Sequence, residues 1–328
     1  MAESFEIDPQ AIKELQLLDA AAADVNNEIT AQRWLKHVPI FAQRQKTIEK
    51  IPGFWATVLD NASIELEGAI TNKDSEIFAS ALTHIEVSRP EIPAGAKATD
   101  SGVEHFGEPR SVGIAFHFKS NEWFADSVLA KNFYWRRGKD GSSSLVSDPI
   151  KINWKPGKDI TNGLTDAAYA LWVAQKNAGQ LDGVFAGELQ KKRDAAARAL
   201  PEYKALANLL EKEYSEEAEI AGATSFFNFF SYRGRWISAA ENAESTAEVR
   251  AKRAAALAGQ DDAEESDDED GDYEFAEEDV ETFAPGHEIA LNIADDIFPD
   301  AINYFLADEI EIDSDVDLDS DDEDVEMS

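Results

Sequence analysis

The chain is predicted to fold as an α+β protein, with one long N-terminal helix followed by a four-stranded antiparallel sheet packed with helices, and with acidic segments that lack structure of their own. Three observations predict this. Apolar residues recur at helical spacing through the first fifty residues, at a spacing of two in short runs between 84 and 155, and at helical spacing again beyond 165. Helix, then strands, then helices is the order of segregated α+β folds rather than of alternating βαβ units. Charge is segregated too. The 66 Asp and Glu against 30 Lys and Arg give a net −36, but residues 254–328 hold 30 acids and no base, which leaves the first 253 residues at only −6.

The first element runs from Pro9 to Trp55. Leu15, Leu18, Ala22, Val25, Ile29, Trp34, Val38, Phe41, Gln45 and Ile48 form a series whose nine intervals average 3.67 residues, the period of a nearly straight helix. Such a helix would reach roughly 70 Å at 1.5 Å per residue, and its stripe needs a partner. Pro39 removes a backbone hydrogen bond at a cost of about 3 kcal/mol. The stretch is therefore either two helices broken there or one dimerisation helix that absorbs the proline as a kink. The step from Ile29 to Trp34 is irregular.

Pro52 suits the first turn of a short helix with Phe54, Val58 and Leu59 on its apolar face, and Asp74 is the expected N-cap of another over 74–82. Strands are expected at 84–88, 112–118, 133–136 and 150–155, joined by loops too short for parallel crossovers. Helices follow near Tyr169–Val173, at Leu189–Leu200 and at Tyr203–Tyr214, the last two separated near Pro201. The aromatic run Ser225–Phe230 has to be buried. Residues 242–258 read as a solvated helix, and 261–281, with 14 acids in 21 residues, as disordered. Apolar pattern returns from Ile289 to Leu306, and from Asp308 onward 12 of 21 residues are acidic.

Composition removes several function classes. With no cysteine there are no disulfides, thiolate metal sites or cysteine nucleophiles. Gly138-Lys139-Asp140-Gly141 lacks the flanking residues of a phosphate-binding loop, the acid runs lack calcium-loop spacing, and no histidine pair has metal-ligand spacing. His84 and His117 read as satisfied sheet residues. No catalysis and no cofactor are expected. Neither a signal peptide nor an apolar run of 18 residues is present, so the expectation is a soluble intracellular protein with no membrane contact. The acidic appendages attract basic partners or, more blandly, solubilise the chain. One basic stretch stands against them: Lys131 to Lys158 holds Lys131, Arg136, Arg137, Lys139, Lys151, Lys155 and Lys158 among aromatics. It reads either as a weak nucleic-acid contact or as the solvated face of the sheet.

With these segments placed, the sequence resembles the nucleosome assembly protein family, in particular its SET-like branch of histone chaperones. Lys50-Ile51-Pro52-Gly53-Phe54-Trp55 is similar to that branch's helix-ending phrase. Asn121-Glu122-Trp123-Phe124 with Val128–Phe133, Ile152–Ile160, Ser225–Phe230, and Ala294–Pro299 with Tyr304-Phe305-Leu306 complete the set. The stretches from about Gly163 to Gly222 and from Trp236 to His287 are longer than the family pattern.

The resemblance implies an earmuff-type domain on a homodimer joined by long antiparallel helices, an underside that binds core histones (H3–H4 and/or H2A–H2B), and a role in nucleosome assembly or disassembly. It implies nuclear localisation with shuttling to the cytoplasm, and admits a chromatin-modifying enzyme as a further partner. The organisation then reads as a dimerisation helix over 1–60, an earmuff domain over 61–235 with a helical insertion at about 163–222, an alanine-rich and acidic insertion over 236–285, a closing segment of the domain over 286–307, and an acidic tail over 308–328. Histone contacts are expected from Asp295 and Asp296 and, in the tail, Asp308, Glu309, Glu311, Asp313 and Asp315. Leu15, Leu18, Ala22, Val25, Ile29, Trp34, Val38, Phe41 and Ile48 become expected dimer contacts. Ser266, Ser314 and Ser320 each have an acid three residues on, the context favoured by acidophilic kinases such as casein kinase 2. An acidic scaffold or phosphatase-inhibitor-like regulator of other basic proteins is the competing reading.

Overall fold

A computed structural model describes residues 8–66, 68–213, 224–258 and 273–307. Its first element, α1 (Pro9–Ile48), is a single helix of 40 residues, about 60 Å long at 1.5 Å per residue. Asp8 caps it by accepting from Gln10 N, with Pro9 in the first turn where its missing N–H costs nothing. Pro39 lies inside the helix without ending it. It sits on the exposed side, where water can take the carbonyl that a proline leaves unpaired.

A turn through Gly53, in the left-handed conformation at φ 79°, leads into α2 (Phe54–Asn61). The next helix, α3 (Asn72–Ala81), begins two residues before the expected start. Thr71 is its N-cap, and Asp74 is the third helical residue of a reciprocal capping box. Asp74 is fully buried because it also accepts from Ser225 Oγ at 2.6 Å and Phe226 N at 2.9 Å, pinning the distant aromatic run to the start of α3.

The sheet is an antiparallel meander in the order β1 (Leu82–Ser88), β2 (Val112–Phe118), β3 (Val128–Arg137), β4 (Ser143–Ser147). Register places Ile85 opposite Phe116, Phe116 opposite Leu129, and Phe133 opposite Ser147. The inward row, including Ile85, Ile114, Phe116, Leu129 and Phe133, packs on α2, α3 and the 3₁₀ turn Phe226–Ser231, whose four phenylalanines are wholly buried. The fourth strand is Ser143–Ser147, not 150–155. The hairpin closes through Gly141 at φ 81°, which lets the serines return directly along β3. Residues 150–155 do alternate in burial, but Pro149 has no N–H to donate to a ladder. Their backbone bonds go to the 3₁₀ turn and to a loop instead: Ile150 N to Phe230 O, and Lys155 N to Trp123 O.

Helices α4 (Leu164–Asn177), α5 (Glu188–Ala199) and α6 (Pro201–Glu213) follow, with Pro201 in the first turn of α6. They build a second core from Leu164, Leu171, Leu206 and Leu210, completed by Ala276 and Val280. The end of the acidic run, Tyr273 to Glu281, is therefore packed. Tyr273 donates to Asp194, and buried Glu277 meets buried Arg193 at 2.6 Å.

Before that stretch, α7 (Ala239–Leu257) is the helix expected from its alanine content, but its first half is not solvated: Glu241 and Ser245 are buried against the β3–β4 hairpin. Its far end reaches α1 through Arg253 and Asp24 at 2.5 Å. Finally α8 (Gly286–Asn292), a π-helical turn (Ile293–Ile297) and a last helix, α9 (301–307), return to the first core with Ile289, Ile293, Ile297, Phe298 and Ala301 buried.

Candidate interaction site

The expected stripe on α1 divides into two faces. Leu15, Leu18, Val25 and Ile29 are 65%, 66%, 55% and 54% exposed, and Ala22 and Val38 are exposed with them. Trp34 and Phe41 instead pack on the chain's own domain, and Ile48, at 5% exposure, belongs to the core, meeting the surface only at the wall of the groove at the helix end. The reason lies in the irregular step. Five residues from Ile29 to Trp34 rotate the apolar position about 140° around the helix at 100° per residue. The first half of the helix thus presents its stripe outward, and the second half turns Trp34, Phe41 and Ile48 inward while Val38 stays exposed at the margin.

The inward half is held by aromatic packing. The Phe41 ring lies 5.0 Å from Phe298, Trp55 stacks on Phe298 at 5.7 Å, and Arg44 lies over Phe41 and Phe298 while donating to Pro299 O at 3.0 Å. On the outward side, a groove of about 430 Å³ between α1 and α9 is lined by Ile40, Gln43, Thr47, Ile51, Phe54 and Phe305. It extends the exposed stripe to the end of the helix.

Asp295 and Asp296 lie side by side on the π-helical turn, both exposed. Their surroundings differ. Asp295 pairs with Arg89, whose side chain is only 3% exposed and whose pKa is lowered by burial, an effect this carboxylate offsets only in part. Asp296 accepts from Tyr304 Oη at 3.2 Å. One acid balances an internal cation, and the other faces outward. Asp308, Glu309, Glu311, Asp313, Asp315, Ser266, Ser314 and Ser320 lie outside the described residues.

The basic stretch does not present an open row of cations. Lys131 is buried beneath the sheet with Nζ donating to Asp148 O and Tyr232 O, and burial pulls its pKa down to about 7. Arg136 pairs with Glu91 at 2.8 Å, Lys139 with Glu244 and Glu248, Lys158 with Glu122, and Lys155 donates to Asn121 O. Phe133 is core. His84 and His117 face each other across β1 and β2 with rings 5.3 Å apart. They are not fully satisfied: Nδ1 of His84 is buried without a hydrogen-bond partner, and Nε2 of His117 makes no hydrogen bond but lies 3.4 Å from the Glu86 carboxylate. Among the described residues no group of three His, Asp or Glu is arranged to hold a metal, and no helix is long and apolar enough to cross a membrane.

Sequence reasoning missed the buried cluster of Arg193, Asp194, Glu277 and Arg233 that ties the helical insertion to the acidic run. Its members are spread over some 85 positions and carry no local spacing signal.

A long helix with an exposed apolar face leads into an antiparallel sheet closed by an aromatic-rich segment, an α+β architecture. The nucleosome assembly protein model matches residues 13–177, half of the chain, and the chain belongs to that family. It is 30% identical over 151 residues to NAP1-related protein 1 of Arabidopsis thaliana, a match covering 46% of this chain and 51% of that protein. It is 30% identical over 119 residues to human nucleosome assembly protein 1-like 1, covering 34% and 26% of the two chains. The matched segment thus spans about half the length of the Arabidopsis relative. Among solved structures, the Vps75 histone chaperone aligns with 93% of this chain and 100% of its own at 16% identity and a TM-score of 0.47.

Proposed function

We propose that this protein is a histone chaperone that works as a homodimer, shields core histones from indiscriminate contact with DNA, and acts in the nucleus in nucleosome assembly or disassembly. The observation that carries the reading is the family match over α1, the sheet and α4, joined to a chain whose excess negative charge is gathered after residue 253. Histones are basic, and an acidic surface competes for their lysines and arginines and lowers the rate of wrong encounters. The chain binds and does not catalyse. An antiparallel pair of α1 helices would cover the exposed stripe of Leu15, Leu18, Ala22, Val25 and Ile29. Whether H3–H4 or H2A–H2B is preferred, and whether a chromatin-modifying enzyme joins, are settled by binding.

The test is a salt titration of binding to H3–H4 and to H2A–H2B, with DNA as competitor. Binding that weakens with salt yet keeps histones from precipitating on DNA is expected. No binding at physiological salt would sink the reading and leave an acidic scaffold for other basic proteins in its place.

A further inference from the structure

We propose that Ser101 is a phosphorylation site for an acidophilic kinase, and that its phosphate releases the β1–β2 loop from α1. The loop is fastened to the long helix at two points. Gln32 Nε2 donates to Asp100 O at 2.8 Å, and Gly102 N donates to Glu28 Oε2 at 3.0 Å. Glu28 Oε1 also accepts from Gln32 Nε2, so the two helix residues grip the loop together. Ser101 stands between these points, exposed, and its hydroxyl has no hydrogen-bond partner among the described residues. The chain around it, residues 94–102, has only turns and bends, so it can enter a kinase cleft.

Asp100 precedes Ser101 and exposed Glu104 lies three residues on, the pattern read at Ser266, Ser314 and Ser320. Other serines share that third-residue acid but not the setting. Ser88 lies on β1 with its hydroxyl donated to Gly113 O; Ser238 and Ser245 are buried with theirs donated to Gly183 O and Gly138 O. Ser101 is the one that combines the motif with access among these.

A phosphate adds about −1.5 to −2 charges at neutral pH. At Ser101 it would stand among the carboxylates of Glu28, Asp100 and Glu104, the last lying against Gly102, with His105 beside Glu104 and Lys97 on the same loop as the bases to hand. Glu28 grips the very next amide, so like-charge repulsion acts directly on the fastening. Gln32 and Glu28 flank Ile29 on the exposed stripe, which places this modification beside the middle of α1.

The experiment uses the full chain with Ser266→Ala, Ser314→Ala and Ser320→Ala, treated with casein kinase 2 and ATP. Peptide mass mapping is expected to place a phosphate on Ser101, lost in Ser101→Ala, and amide exchange over 96–104 to rise severalfold on phosphorylation. In Glu28→Gln the phosphate should add much less to that exchange. An unmodified Ser101, a phosphorylated one with unchanged exchange, or an increase as large in Glu28→Gln as without it would each overturn the proposal.

Discussion

Single residues in this chain take their roles from what lies behind them, and Lys131 is the clearest case. In sequence it is the first of seven bases; in the fold its amine faces two carbonyl oxygens beneath the sheet. A neutral amine has two N–H groups for two acceptors, which agrees with a pKa lowered from 10.5 to about 7 by burial. The unfolded chain then holds a proton that the folded chain does not between about pH 7 and 10.5, so this residue makes stability rise with pH across that window; its penalty is fully present below about pH 7. Urea denaturation at several pH values should show this slope, and Lys131→Met should flatten it. Asp295 is a second case. Its pairing with buried Arg89 makes Asp295→Ala cost about 1–3 kcal/mol by denaturant melt, because a charged donor loses its acceptor. Asp296→Ala should stay within roughly 0.5 kcal/mol. Two neighbouring acids look alike in sequence, and only the arrival of buried Arg89, just past the end of β1, beside one of them separates them.

At the scale of the element, α1 was legible in its length and period and illegible in its faces. A 3.67-residue average describes one stripe, but a helix can carry two stripes offset by one irregular step, and averaging hides the change of face. The physical distinction is testable. Val25→Asp with Ile29→Asp should yield a folded monomer by light scattering with an unchanged thermal midpoint for the domain. Ile48→Ala should instead destabilise the fold itself, costing about 2–5 kcal/mol by denaturant melt. The missed fourth strand has a similar origin. Period-two burial arises wherever an extended chain lies on a core, whether its backbone bonds a strand or a turn and a loop, and the serines of β4 carry no apolar signal across most of their length.

For the whole molecule, the division of charge leads to a prediction about the tail. A chain truncated after Ala307 should keep measurable histone affinity with a shallower dependence on salt, because fewer acids remain to engage basic side chains. Complete loss of binding would assign recognition to the tail alone. The sequence by itself determined the α+β order, the long helix, the obligate burial of Phe226–Phe230 and the gathering of charge at one end, because each is a local property of spacing or composition. Tertiary structure alone decided which half of α1 faces outward, which acids and bases are already spent on each other, and that residues 273–281 close a second core. Those outcomes depend on which distant segment arrives to cover a face or pair a charge, and no spacing along the chain encodes that arrival.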